Sequence, residues 1–141
     1  MDPDRLAVMP LFASLSTEDL ARVADAMEPV TVPAGEALCL QGEFAYQFFV
    51  IEEGTAEVIM DGRRVAELSA GDWFGETGLL VTGRRVASVV ARSPMRLFVI
   101  FEQPFHLLVR DLPDLGERIR EVLPHRPWLP TAPAHAEVEP S

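Results

Sequence analysis

The chain has 141 residues, of which 48% are hydrophobic, and a net charge of −10 at neutral pH. This length and composition fit one globular domain with its own core and exclude a disordered chain. The acidic balance argues against nucleic acid as a direct partner, because a phosphate backbone requires a basic face.

The N-terminal segment, MDPDRLAVMPLF, is acidic and lacks a long apolar run, so we do not interpret it as a signal peptide. No stretch of the sequence approaches the roughly 18 apolar residues that span a membrane. The single cysteine, Cys39, excludes an internal disulfide and is typical of a reducing compartment. We therefore expect a cytoplasmic protein without membrane or nucleic-acid partners.

The first long element is a helix that begins after Ser16. Ser16 and Asp19 form a near capping box, with Asp where Glu is usual. The apolar residues at helical spacing are Leu20, Val23, Ala24 and Met27. Pro29 is expected to end this helix.

Short runs of β-branched and aromatic residues follow the helix. About eight short strands are expected from turn signals at near-regular spacing. The clearest runs lie at 30–32, 37–40, 47–51, 55–60, 63–68, 86–91 and 95–101. Asp61-Gly62 is a strong two-residue hairpin signal. Many short strands with regular turns favour a sandwich or a barrel.

The segment GDWFGETGLLVTGRRVASVVA, residues 71–91, carries the chemistry. Gly75 opens a predicted helical turn over 76–80, which offers free backbone N–H groups to an anion. Arg85 supplies a planar cation that fits phosphate. Glu76 would repel phosphate alone, but it would accept a hydrogen bond from a hydroxyl. Phosphate together with hydroxyl indicates the ribose of a nucleotide.

The part FGETGLLVTGRRVASVVA resembles the phosphate-binding cassette of the cyclic nucleotide-binding domain family. Five residue types fall at fixed offsets, and Glu76 and Arg85 stand nine positions apart, as in that family. The resemblance covers residues 9–123. It implies a mainly β fold, an eight-stranded antiparallel jelly-roll β-barrel with an N-terminal helix and two C-terminal helices. The strand pattern agrees with this fold.

The resemblance also implies the roles of the cassette residues. The phosphate ligands would be Arg85, the backbone of Val86 and Gly78, and the ribose ligands would be Glu76 and Gly75. Val86 lacks the hydroxyl that meets the purine amino group in guanine-preferring relatives, which favours cAMP over cGMP. The neighbouring Arg84 is expected to have a surface role. Without the resemblance, Arg85 and Glu76 would be ordinary solvated residues, and the two glycines turn residues.

The purine is expected to lie against the sheet. By family position, Val58, Ala66 and Leu68 would line it, although the residues alone would indicate ordinary core. Arg126 falls where some relatives place a base-capping arginine, although it lies beyond the helix-ending Pro124.

Two helices are predicted near the C-terminus, at 105–112 and 114–123. Residues 124–141 contain five prolines. We therefore divide the chain into a domain at 1–123 and a mostly disordered tail at 124–141. Trp128 fits a stray aromatic of that tail better than a lid over the base.

Catalysis is not expected. A similar jelly-roll outline serves metalloenzymes with inward histidines, but no predicted strand contains a histidine. The three histidines are His106, His125 and His135. We predict no metal and no cofactor apart from the ligand itself, cAMP or possibly cGMP.

Two functions remain open. The first is a stand-alone regulatory module that binds cAMP and signals by a rearrangement of residues 105–128 to an effector protein or through self-association. The second is an interaction scaffold that keeps the fold but leaves the pocket without ligand. Binding of cAMP would distinguish them.

Overall fold

The structure, a computed structural model, describes residues 2–128. It is mainly β, with helices on both sides of the strands along the chain. The helices are α1 (Pro3–Ala7), α2 (Thr17–Ala26), α3 (Glu102–Asp111) and α4 (Pro113–Val122), with 3₁₀ turns at Pro10–Phe12 and Leu123–His125. No helix in this part of the chain is long and apolar enough to cross a membrane.

The strands form two antiparallel sheets, and the closure of eight strands into a jelly-roll barrel, which the resemblance implies, stays a prediction. The strands are β1 (Glu28–Val32), β2 (Ala37–Cys39), β3 (Gln47–Glu53), β4 (Ala56–Met60), β5 (Arg63–Leu68), β6 (Trp73–Phe74), β7 (Ser88–Ala91) and β8 (Met95–Phe101). The first sheet has the order β1-β8-β3-β6 and the second the order β2-β7-β4-β5. The predicted mainly β class with flanking helices is confirmed.

The inner strands of the first sheet, β3 and β8, are buried on both faces. Along β3, Phe48 and Val50 belong to a core shared with the helices, whereas Phe49 and Ile51 belong to a second core between the sheets. Successive side chains of a strand point to opposite faces, so both faces of β3 must be apolar. This explains the unbroken apolar run of β3.

The N-terminal boundary of α2 is confirmed. The Ser16 Oγ accepts a hydrogen bond from the Asp19 N–H at 3.1 Å, which caps the helix. The predicted end at Pro29 is wrong, because α2 ends at Ala26 and Pro29 lies in β1. A proline is tolerated there since β1 is an edge strand that pairs only with β8.

Other element boundaries also differ from prediction. Helix α3 begins three residues early, at Glu102, and holds Pro104 in its first turn, where a missing N–H costs nothing. Strand β7 begins at Ser88, two residues later than the predicted run at 86–91. For Trp73 and Phe74 the sequence predicts only an apolar pair, whereas in the structure they form strand β6.

The first residues of the predicted tail have a defined place. Residues 123–125 form a 3₁₀ turn, Arg126 is extended, and Trp128 is 5% exposed. The prediction of disorder is therefore wrong for 124–128, because Arg126 and Trp128 find buried partners. Residues 129–141 lie outside the described residues.

Candidate functional site

A cavity lies between residues 75–85, which we call the cassette loop, and the inner face of the second sheet. Its walls are Cys39, Val58, Phe74, Gly75, Thr77, Gly78, Arg85, Val86, Ala87, Val89 and Trp128. The cavity has a volume of about 30 Å³. Because one water needs roughly 10–15 Å³ on this measure, the space holds two or three waters.

Arg85 is a buried cation at the wall of this cavity. It is 8% exposed, and its Nη1 and Nη2 donate to the carbonyls of Gly75 at 3.2 Å and Gln47 at 2.7 Å. Among residues 2–128, no carboxylate lies within salt-bridge distance of it. A buried charge is costly unless it is paired, so the site is suited to an anion.

The two glycines of the cassette loop allow close packing around Arg85. A Cβ at Gly75, where φ is +100°, would lie 2.7 Å from the Gln47 carbonyl and 3.1 Å from the Arg85 Nη1. A Cβ at Gly78 would lie 2.7 Å from the Ala45 Cβ. Both glycines are therefore required by the protein itself, and their predicted contacts with a ligand stay a prediction.

Glu76 is fully buried and already has a cationic partner. The Arg126 Nε donates to Glu76 Oε2 at 2.8 Å, and Nη2 donates to Oε1 at 3.1 Å. The Thr77 hydroxyl donates to Oε2 at 3.3 Å. Arg126 also donates to the Trp73 carbonyl at 2.6 Å. The predicted ribose ligand thus contacts an arginine 50 residues away in the chain.

Trp128 closes the site. Its indole Nε1 donates to the Thr77 hydroxyl at 3.2 Å, and the Arg126 guanidinium carbon lies 4.8 Å from the centre of its ring. The interpretation of Trp128 as a stray aromatic is therefore wrong. No periodic pattern in the sequence predicts this contact, although the Arg-Pro-Trp run in an otherwise weakly apolar segment is a local signal for it.

The predicted base-contacting residues are divided between two places. Val58 lines the cavity, whereas the buried Leu68 and the half-buried Ala66 belong to or pack against the same core between the sheets and are not among the cavity walls. Arg126 was expected to cap the base, but here its guanidinium contacts Glu76. These four assignments to the base stay predictions.

Besides Trp128, five cavity residues were not predicted as site residues from the sequence, namely Cys39, Phe74, Thr77, Ala87 and Val89. Thr77 joins the Trp128 indole to the Glu76 carboxylate. Cys39 was expected in the core and is 6% exposed, and burial raises the pKa of its thiol to about 11. Within residues 2–128, no three His, Cys, Asp or Glu side chains are grouped so that they could hold a metal ion.

Comparison with known protein families shows which proteins this chain is similar to. The sequence model of the cyclic nucleotide-binding domain matches residues 29–111. A cyclic nucleotide-gated potassium channel of Rhizobium etli is 35% identical over 116 residues, 82% of this chain and 32% of the channel. A cAMP-dependent protein kinase regulatory subunit of Schizosaccharomyces pombe is 34% identical over 111 residues, 78% of this chain and 27% of the subunit. The chain thus spans about a third of the length of these relatives.

Solved structures show the same fold. The catabolite activator protein of Thermus thermophilus has a TM-score of 0.75 at 27% identity, covering 92% of this chain and 62% of that one. A guanosine-bound regulatory subunit of a cAMP-independent protein kinase A from Trypanosoma cruzi has a TM-score of 0.81 at 26% identity, covering 96% and 49%.

Proposed function

Because the chain belongs to the cyclic nucleotide-binding domain family, we propose that it is a cytoplasmic regulatory module, not an enzyme, that binds a cyclic nucleotide in the cavity beside Arg85. The observation that carries the proposal is the buried Arg85 guanidinium, which among residues 2–128 donates only to neutral carbonyls. Such a cation gains most from an anion. The matched family and the similarity to kinase regulatory subunits support a nucleotide as that anion.

In this proposal the cyclic phosphate binds Arg85, with the backbone of Val86 and Gly78 beside it. The ribose hydroxyl donates to Glu76 next to Gly75. Charge-assisted hydrogen bonds contribute about 1.5–3 kcal/mol each. Two from Arg85 would supply a large part of the roughly 8 kcal/mol of a micromolar complex.

We favour cAMP over cGMP as the ligand. Val86 has no hydroxyl to accept from the amino group of guanine. The purine would pack on Val58, with Ala66 and Leu68 behind it. Binding would be passed on by a rearrangement of residues 105–128, read by an effector protein or by a second copy of this chain.

Calorimetric titration of cAMP and cGMP into the full chain tests the proposal. Wild type should bind cAMP more tightly than cGMP, and Arg85→Ala should weaken binding at least 100-fold, the loss of roughly 3 kcal/mol. Arg84→Ala is the matched control, because it removes the same charge one residue away. Arg84 is exposed, donates to the Gly42 carbonyl at 2.9 Å, and stacks on Phe44.

The control should bind within about threefold of wild type, since exposed charges contribute little. Binding by Arg85→Ala that equals wild type would contradict the proposed site. The absence of heat from both nucleotides, with wild type and with the Trp128 variants described below, would contradict the function.

The second candidate is an interaction scaffold with a closed pocket. One observation favours it: the Glu76 carboxylate is already paired with Arg126 inside the chain. Two results together would support the scaffold instead. Neither wild type nor any variant would bind a nucleotide, and folded wild type and Arg85→Glu would capture the same partner protein.

A further inference from the structure

We propose that Arg126 and Trp128 form an internal plug that occupies the sugar and base positions of the site, so that a nucleotide binds only after the plug leaves. The inference rests on the proposed function and adds a regulation of the same site. It predicts that weakening the plug tightens nucleotide binding.

The polar half of the plug acts on the carboxylate of Glu76. This side chain is fully buried and accepts two hydrogen bonds from Arg126 and one from Thr77. A carboxylate has about four acceptor positions, so three are taken. Because the carboxylate is fully buried, the fourth position is closed to solvent, so a ribose hydroxyl reaches Glu76 only after Arg126 moves.

The apolar half is the indole of Trp128. It is 5% exposed and belongs to the same core cluster as Val58, Cys39 and Val89, which line the cavity. An indole is a flat bicyclic ring with one N–H donor, and Trp128 uses that donor on Thr77 at 3.2 Å. It therefore fills the apolar space that a purine would need.

The remaining space excludes a bound nucleotide. The cavity of about 30 Å³ holds two or three waters, with Trp128 as one of its walls. The plug brings no anion to Arg85, whose guanidinium donates only to backbone carbonyls among residues 2–128. A nucleotide phosphate thus offers Arg85 a partner that the plug does not.

A plug and a lid predict opposite effects of mutation. A lid over a bound base contacts the ligand, so removing it weakens binding. A plug competes with the ligand, so removing it strengthens binding. If the plugged form outnumbers the open form about tenfold, the apparent Kd is about tenfold weaker than the intrinsic one.

Calorimetry with cAMP on the full chain distinguishes these cases. Trp128→Ala should bind about tenfold more tightly than wild type, and it changes no charge near the phosphate position. Trp128→Glu should act the same way, because a charged side chain cannot remain in the apolar core. His125→Ala, an exposed residue of the same segment, is the matched control and should bind like wild type.

Weaker or unchanged binding by both Trp128 variants, with circular dichroism showing them folded, overturns the plug and leaves the proposed function intact. If neither wild type nor any Trp128 variant binds cAMP or cGMP, the proposed function fails and the plug fails with it.

Fluorescence provides a second measurement that does not depend on affinity. Adding saturating cAMP to wild type should shift tryptophan emission to longer wavelength, because Trp128 moves from the core into water. Trp128→Phe retains only Trp73 and should lose the shift. Emission from wild type that stays in place or moves to shorter wavelength at saturation overturns the plug.

Discussion

Two consecutive arginines illustrate how position decides the role of a residue. Arg84 lies on the surface, with its guanidinium carbon 4.1 Å from the centre of the Phe44 ring. Arg85 is buried at the cavity wall and donates to the carbonyls of Gly75 and Gln47. The same chemical group is therefore a solvated charge in one position and a candidate anion ligand in the next.

Cys39 gives a prediction at the same scale. Burial raises the pKa of its thiol to about 11, so only about one molecule in a thousand carries the reactive thiolate at a pH of about 8. Iodoacetamide should label native Cys39 at least about 100-fold more slowly than it labels the chain unfolded in urea. Mass spectrometry of timed samples measures both rates, and the native rate should rise with pH. Equal rates in the two states would contradict the buried position.

The cassette loop is the element on which the site depends. Its helical segment continues through a wide turn at Gly78–Thr82, longer than the single turn predicted for 76–80. Gly83, at φ +75°, ends the turn by donating to the Gly78 carbonyl at 2.8 Å. Wide turns of this kind occur often at functional sites.

Substitutions at two glycines of this loop distinguish the free-energy cost of backbone strain from the cost of steric overlap. Gly83→Ala adds a Cβ to open space, so it should cost about 1–2 kcal/mol of unfolding free energy, the penalty for a left-handed residue. Gly75→Ala adds the same strain and also places its Cβ against the Gln47 carbonyl and Arg85. It should cost at least about 3 kcal/mol. Urea denaturation measures both, and equal losses would show that the packing around Arg85 is loose.

At the scale of the whole molecule, the N-terminal helices are held to the first sheet. The shared core supplies the apolar contacts, and Arg5 of α1 forms an ion pair with Glu52 of β3, with the Arg5 Nε donating to Glu52 Oε2 at 2.9 Å. Arg22 of α2 also bonds Asp111 of α3 at 3.1 Å. The helices therefore form a layer that packs against one face of the first sheet.

The Arg5–Glu52 pair predicts a pH dependence of stability. The hydrogen bond from Arg5 lowers the pKa of Glu52 below its ordinary value of 4.5. The pair therefore stabilises the fold above that value, and this contribution is lost as the pH falls through the lowered pKa. The difference in Tm between wild type and Glu52→Gln should be present at neutral pH and should shrink below a pH of about 4.

Glu53→Gln is the control for this measurement. Glu53 is the next residue, its side chain is 66% exposed, and it lies 3.4 Å from Arg96. The Tm of the Glu53→Gln variant should match that of wild type at every pH, because exposed ion pairs contribute little to stability. A difference in Tm between wild type and Glu52→Gln that stays constant or increases at acidic pH would show that the pair does not stabilise the fold.

The sequence alone determined what depends on neighbours along the chain. The Ser16 cap, the hairpin at Asp61-Gly62 and the limits of β5 and β8 follow from local turn chemistry and β propensity. The Glu76–Arg85 spacing was enough to identify the family, because fixed offsets within one loop are a local pattern.

Only the tertiary structure decided which distant groups meet. The Glu76–Arg126 and Thr77–Trp128 contacts join residues 50 and 51 positions apart, and no period or turn signal connects them. The same holds for β6, whose two residues become a strand only by pairing with Phe49 and Val50 of β3. Local preferences fix the shape of a short segment. Burial selects its partners, because the buried Glu76 carboxylate and Trp128 indole are satisfied by groups that only the fold brings within reach.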